Sequence, residues 1–354
     1  MRRGLMAWDE HELPQGVLME RIEGLRAVMK SGGLDGFIFY TNLVQPSAVT
    51  YLTGFTPYWS DGLLLVLKSG APVFATALSK RVANWISSTN PVSEIINTPR
   101  PGEAVGRRLT AGGFARVGVL ELDRLPGGPY DEIVGAAPAV ELIDGSAAFA
   151  SRRQRIDGAE RGLIERADAL AVAALAEVDP DGAADAGAVA GLVERQARLR
   201  GAEEAYIAVA PNLAADRRMI RVSGALPLAD RFALRASVAY KGSWVRRTRT
   251  FASDAAGRRA VSRADAWFEK LVSAIVAGQS IGAQIGARID ALPGATLNGW
   301  MAESSIGSYP LQTVASSRAP DHNGVSAGGF LVVTVELALD GMPWLGAAPA
   351  FVNG

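Results

Sequence analysis

Lys241-Gly242-Ser243-Trp244-Val245-Arg246-Arg247-Thr248-Arg249-Thr250-Phe251 is the stretch on which the fold turns. The run before it, Phe232 to Tyr240, reads as a strand, and the two are expected to pair. Successive side chains of a strand leave on opposite faces, so Arg246 goes to one face and Arg247 and Arg249 to the other. Arg235 stands eleven residues before Arg246, on the partner strand. A basic run invites a nucleic-acid reading, but no aromatic platform accompanies Arg247 and Arg249. They read instead as solvated or salt-bridged. Across the chain 36 basic residues balance 36 acidic ones, so no net charge draws it to nucleic acid or to a membrane surface.

Outward from that stretch, helical apolar spacing appears over Ala159–Val178, with Leu163, Ile164, Ala167, Leu170, Ala171 and Ala174 as one stripe. Further helices are expected over Ala188–Arg200 and Ala264–Ala277, and further strands over Tyr206–Ala210 and Leu331–Leu337. Ser151-Arg152-Arg153-Gln154-Arg155 is a polar break. It places a boundary near residue 150, between domains of residues 1–150 and 151–354.

The first half alternates helices and strands. Arg21–Lys30 places Ile22, Leu25, Val28 and Met29 on one helical face, and Ser31-Gly32-Gly33 ends it. Gly36–Tyr40 reads as a buried strand, and Leu63–Leu67 with Pro72–Ala75 as a hairpin about Lys68-Ser69-Gly70. Ser79–Ser88 is expected to be helical and Val117–Leu120 a strand. This pattern predicts an α/β domain with helices on the faces of a mixed sheet.

There is no cysteine, which excludes disulfides, thiolate nucleophiles and iron–sulfur clusters. The two histidines, His11 and His322, are too few for a histidine-rich metal site. Apolar runs such as Gly62–Leu67 and Phe330–Val335 are strand-length, far short of a membrane span. Met-Arg-Arg is followed by Trp8, Asp9, Glu10 and His11 instead of an apolar leader, so a cytoplasmic location is expected.

Three fragments, in this order, carry a resemblance: the run from Arg21 through Leu34-Asp35-Gly36 to Tyr51-Leu52-Thr53-Gly54-Phe55; Arg155-Ile156-Asp157-Gly158-Ala159-Glu160; and Lys241–Phe251. Together they resemble the creatinase, prolidase and aminopeptidase P family, from about Leu18 to the end of the chain. The resemblance implies an N-terminal creatinase-like α/β domain and a shortened C-terminal α+β domain of the "pita-bread" fold. It also implies association, as a homodimer or as a heterodimer with an intact paralogue.

The family's peptidases hold two divalent metals with two aspartates, one histidine and two glutamates, because hard cations want anionic oxygens. The matching positions here are Arg235 and Arg246 for the aspartates and Ser304 for the histidine. Glu336 keeps the first glutamate, and Gly346-Ala347-Ala348-Pro349-Ala350 offers nothing acidic for the second. Reversed charge at two positions repels a cation. No bound metal and no cofactor are therefore expected. Creatinase itself works without metal, through a histidine, and Asp216 or Arg217 stands at that place. Arginine stays protonated and is a poor general base.

Two readings of the arginines stay open. Arg235 and Arg246 form a fork for a carboxylate or phosphate, with Glu336 orienting the ligand, or Arg246 and Glu336 form a structural ion pair in a vacated pocket. Tyr58 and Trp59 read as an aromatic wall over a ligand or as an interface contact. His322, in a turn-like run, is exposed or replaces the missing base, and Ser304 and Ser305 show no base to activate them. The expected function is a non-catalytic pseudoenzyme that binds a small anion or a partner. The alternative is a metal-free creatinase-type hydrolase or lyase acting on a small carboxylate-bearing amide, amidine or biosynthetic intermediate, with Glu336 as acid or base.

Overall fold

The structure, a computed structural model, describes residues 8–57, 60–183, 185–222, 224–304, 311–320 and 324–354. By internal contact the chain divides after Gln154. The first unit runs α1 (Gln15–Ser31), β1 (Gly36–Thr41), α2 (Ser47–Thr53), β2 (Gly62–Leu67), β3 (Val73–Thr76), α3 (Ala83–Thr89), β4 (Glu94–Asn97), α4 (Pro101–Ala111), β5 (Arg116–Val119), α5 (Gly127–Ala136), β6 (Glu141–Asp144) and α6 (Ser146–Arg152). Its sheet has the order β4-β3-β2-β1-β5-β6, with β1 antiparallel to β2 and parallel to β5. The expected hairpin is β2–β3, in register Leu63↔Ala75 and Leu65↔Val73. The stretch Ser79–Ser88 splits into a 3-10 turn over Lys80–Val82 and α3.

The sequence fragments of this unit meet in space. Tyr51, on α2, receives the Arg21 guanidinium on its carbonyl at 2.7 Å, and the guanidinium carbons of Arg21 and Arg153 lie 4.4 and 3.9 Å from its ring centre. Gly54 ends α2 at φ +73°, and an added Cβ would lie 3.3 Å from Trp8. The bend therefore needs glycine both for its backbone and for its space. Asp35, opening β1, accepts from the backbone N–H of Ala115 at 2.7 Å and of Arg116 at 3.1 Å, and it is salt-bridged to Lys68. Those contacts, the Lys68 bond first, hold its carboxyl down at about 2.

The second unit runs α7 (Gly158–Ala176), α8 (Ala186–Leu199), β7 (Glu204–Ala210), β8 (Arg231–Tyr240), β9 (Ser243–Ala252), α9 (Ala255–Ser273), α10 (Ile281–Ile289), β10 (Ala295–Ser304), β11 (Gln312–Ser316), β12 (Phe330–Leu339) and β13 (Met342–Phe351). Asp157 caps α7 by accepting from the Glu160 N–H at 2.8 Å. The helix expected over Ala264–Ala277 instead starts at Ala255, where Asp254 caps it, and ends at Ser273. The sheet order is β11-β10-β12-β13-β9-β8-β7. Lys241 and Gly242, both at positive φ, close the β8–β9 hairpin in two residues, as tight hairpins require.

One face of this sheet packs against helices in two separate cores. Phe232, Leu234, Ala236 and Val238 of β8 join residues of α7 and α8, while Val333, Val335 and Leu337 of β12 join residues of α9 and α10. Arg247 lies on that face. Its guanidinium meets Asp168 of α7 at 2.7 and 2.9 Å and Glu269 of α9 at 2.5 Å. Burial alone would lower its pKa, but the two carboxylates outweigh burial and raise it. Arg249 lies 4.0 Å from Asp265. The basic run is thus salt-bridged, and among the described residues no helix is long and apolar enough to cross a membrane.

Candidate functional site

The opposite face of the second sheet carries the candidate site. Register fixes which residues share it, since partners paired across strands project to the same side. One row runs Ala208, Arg235, Thr248, Ala347, Thr334, Met301 across β7, β8, β9, β13, β12 and β10. A parallel row pairs Ser237 with Arg246 on one side of the sheet and Pro349 with Val332 and Glu303 on the other. On the far side of the central row, Ala233 pairs with Thr250, and Leu345 with Glu336 and Gly299.

Arg246 makes a salt bridge with Glu303, and both side chains are well buried, at 14% and 6% exposure. The pair reaches from β9 to β10 over the two strands between them. At a strand spacing of about 4.8 Å, the backbones stand roughly 14 Å apart, so the two long side chains lean toward one another across the sheet. Small or short residues in between, Ala347, Pro349 and Val332, leave them room. Arg246 Nε also reaches the Ser237 hydroxyl at 3.5 Å.

Arg235 is different. Among the described residues no carboxylate lies within ion-pair distance of it and no hydrogen bond holds its guanidinium. Burial lowers its pKa first, nearby Arg246 lowers it further, and Glu303 opposes both. Farther along its row the Thr334 hydroxyl is buried without a hydrogen-bond partner among the described residues.

Glu336 is not the partner of Arg246. Its carboxylate lies 3.8 Å from Arg217, with the two side chains 40% and 33% exposed. Arg217 also donates to the Asn298 carbonyl at 2.8 and 3.1 Å in the amide orientation its surroundings require. The loop carrying Arg217 lays Leu213 and Met219 on Ala210, Ala233 and Leu345, which covers that side of the face with apolar side chains. Asp216 turns to Arg218, at 2.7 Å. The two candidates for the lost proton shuttle are therefore both tied into ion pairs.

Ser304 donates its hydroxyl to the Phe330 carbonyl at 3.0 Å, and strand alternation turns it away from the face that Glu303 shares. Tyr58, Trp59 and His322 lie outside the described residues. Glu303, the partner that sequence reasoning missed, had one signal: an acid beside Ala302, two residues on from Met301 and therefore on the same face of its strand.

A pair of divalent metals does not fit these residues. The face carries the cations Arg235 and Arg246, its two glutamates Glu303 and Glu336 are met by Arg246 and Arg217, and of residues 346–350 only Ala347 and Pro349 share it. Among the described residues no group of three or more histidine, cysteine or acidic side chains is placed to hold a metal ion.

The chain thus joins a unit of one six-stranded mixed sheet with helices to a second unit whose seven-stranded sheet packs helices on one face. Residues 21–155 match the model of the creatinase/prolidase N-terminal domain. The chain has the two-domain α/β fold of the prolidases over nearly its full length. It is similar to the Xaa-Pro dipeptidase from Bacillus anthracis, with 20% identity, a TM-score of 0.69 and 95% of each chain covered. It is similar to the prolidase from Pyrococcus horikoshii, with 15% identity, a TM-score of 0.68 and 94% of this chain and 95% of that one covered. The N-terminal domain of the FACT complex subunit SPT16 from Cicer arietinum shares the fold as well, with 13% identity, a TM-score of 0.63 and coverage of 96% and 94%. Comparison with curated protein sequences returned no match.

Proposed function

We propose that this protein is a pseudoenzyme of the prolidase fold, a non-catalytic protein that binds a small anion or a partner where a peptidase would hold its metals. The Arg246–Glu303 ion pair carries the reading. It spans the face and ties up Glu303, an acid a metal would otherwise draw on. Occurrence of the same fold in a subunit of a complex supports a role through partners. The test is direct: purified protein is analysed for bound metal and assayed on Xaa-Pro dipeptides with added manganese, cobalt or zinc. Near-stoichiometric metal, or hydrolysis above background, overturns the proposal.

One observation favours a second reading. Glu336 stays partly exposed on the same face, with Arg217 3.8 Å away. In a metal-free hydrolase or lyase it would serve as acid or base while Arg235 steadies the carboxylate of a small amide or amidine. Turnover that resists chelators and is lost in Glu336→Gln would establish this reading in place of the first.

A further inference from the structure

We infer that Arg235 is the docking point of a single small monoanion, a monocarboxylate, and that Arg246 is not. The inference deepens the anion-binding side of the proposed function and rests on that reading. Both arginines occupy one face, but their situations differ. Arg246 has its charge neutralised by Glu303 and a further contact at the Ser237 hydroxyl. Arg235 has neither a carboxylate in ion-pair range nor a hydrogen bond among the described residues.

A guanidinium taken largely out of water without a partner is costly, and the cost grows beside a second cation. With two arginines and one glutamate, the cluster is left with one positive charge. Glu336 adds nothing to that balance, because Arg217 answers it. One unit of negative charge on the ligand closes the cluster, and two would overfill it.

Short side chains neighbour Arg235 across the sheet. In Arg235's row the next residues are Thr248, Ala347 and Thr334, and Ala347 leaves the least side chain between the guanidinium and the buried Thr334 hydroxyl. A carboxylate takes the Arg235 N–H donors as a bidentate pair.

The probes are sodium acetate and inorganic phosphate, titrated calorimetrically into the whole protein at pH 7 and ionic strength matched with sodium chloride. Acetate is expected to bind saturably at one site, with a Kd on the order of 1 mM, and more tightly than phosphate. Arg235→Met is expected to weaken acetate binding at least about tenfold. The same substitution is expected to raise the urea midpoint of the anion-free protein, because it removes an unpaired cation, which shows that the variant folds. Absence of saturable acetate binding overturns the inference, as does binding undiminished in Arg235→Met. Phosphate binding more tightly than acetate overturns the single-charge assignment. Metal content and peptide hydrolysis are read separately, so a failed anion titration leaves the pseudoenzyme reading standing, and peptide hydrolysis leaves the anion site standing.

Discussion

Replacing Glu303 by Gln removes one negative charge while keeping the side chain's length. Arg246, 14% exposed, then keeps its charge with no counterion, next to an Arg235 that already lacks one. Breaking a buried pair from one side costs about 3–5 kcal/mol, because the surviving charge stays desolvated. Partial exposure of Arg246 argues for the low end, about 3 kcal/mol. The double variant Glu303→Leu/Arg246→Met removes both charges and is expected to lie within about 1 kcal/mol of wild type, since an apolar pair of similar volume replaces an ion pair at little net cost. Urea denaturation followed by tryptophan fluorescence reads this well: Trp244, Trp267, Trp300 and Trp344 all belong to the second unit. Trp244 stacks on Tyr206 with ring centres 5.5 Å apart, two residues from Arg246 on the same strand. Wild type, Glu303→Leu, Arg246→Met and the double variant form a double-mutant cycle whose coupling term is expected to exceed about 1.5 kcal/mol. A loss below about 0.5 kcal/mol in Glu303→Gln, the level of ordinary surface changes, would refute the pairing.

Two further outcomes concern pH. Asp35, held at about 2 in the fold against an ordinary 3.8, contributes stability that is present above pH 3.8 and is lost as pH falls through about 2. Asp35→Asn should therefore cost on the order of 1 kcal/mol at pH 7, after solvent screening, and close to nothing near pH 2, in paired thermal melts. Asp265 is the opposite case: burial raises its carboxyl, although Trp344 Nε1 donates to it at 2.8 Å. A raised carboxyl stabilises the fold only while protonated, and that contribution is lost as pH climbs through the raised value. Asp265→Asn keeps an acceptor for Trp344 and is expected to be more stable than wild type at pH 7, with the gap closing as the pH drops below 3.8. A gap independent of pH would show that the residue acts through packing alone.

Much of the fold was legible because alternation and helical spacing report burial directly. Phe232–Tyr240 and Leu331–Leu337 became β8 and β12 almost residue for residue, and the Arg247–Arg249 side of the sheet followed from period two. The α9 start was missed because Ala255–Ala264 has few large apolar residues, and the signal lay instead in the Asp254 cap. The arginine positions were legible for the same reason as the strands, through spacing. Their partners were not. Whether Arg246 meets Glu336 or Glu303 depends on the order β10-β12-β13-β9, which pairs strands distant in sequence, and nothing local in the sequence encodes that order.

The Arg247 contacts have a consequence for how the second unit comes apart. Its two apolar cores share no residue, and each is built by its own pair of helices. Left to themselves, two such cores can open one at a time, with amides in one half exchanging while the other stays closed. One guanidinium grips α7 and α9 together, so either helix can leave only by giving up one of the two carboxylates that hold a buried cation. That makes Arg247 a rivet between the halves, and it turns two adjacent cores into one cooperative unit.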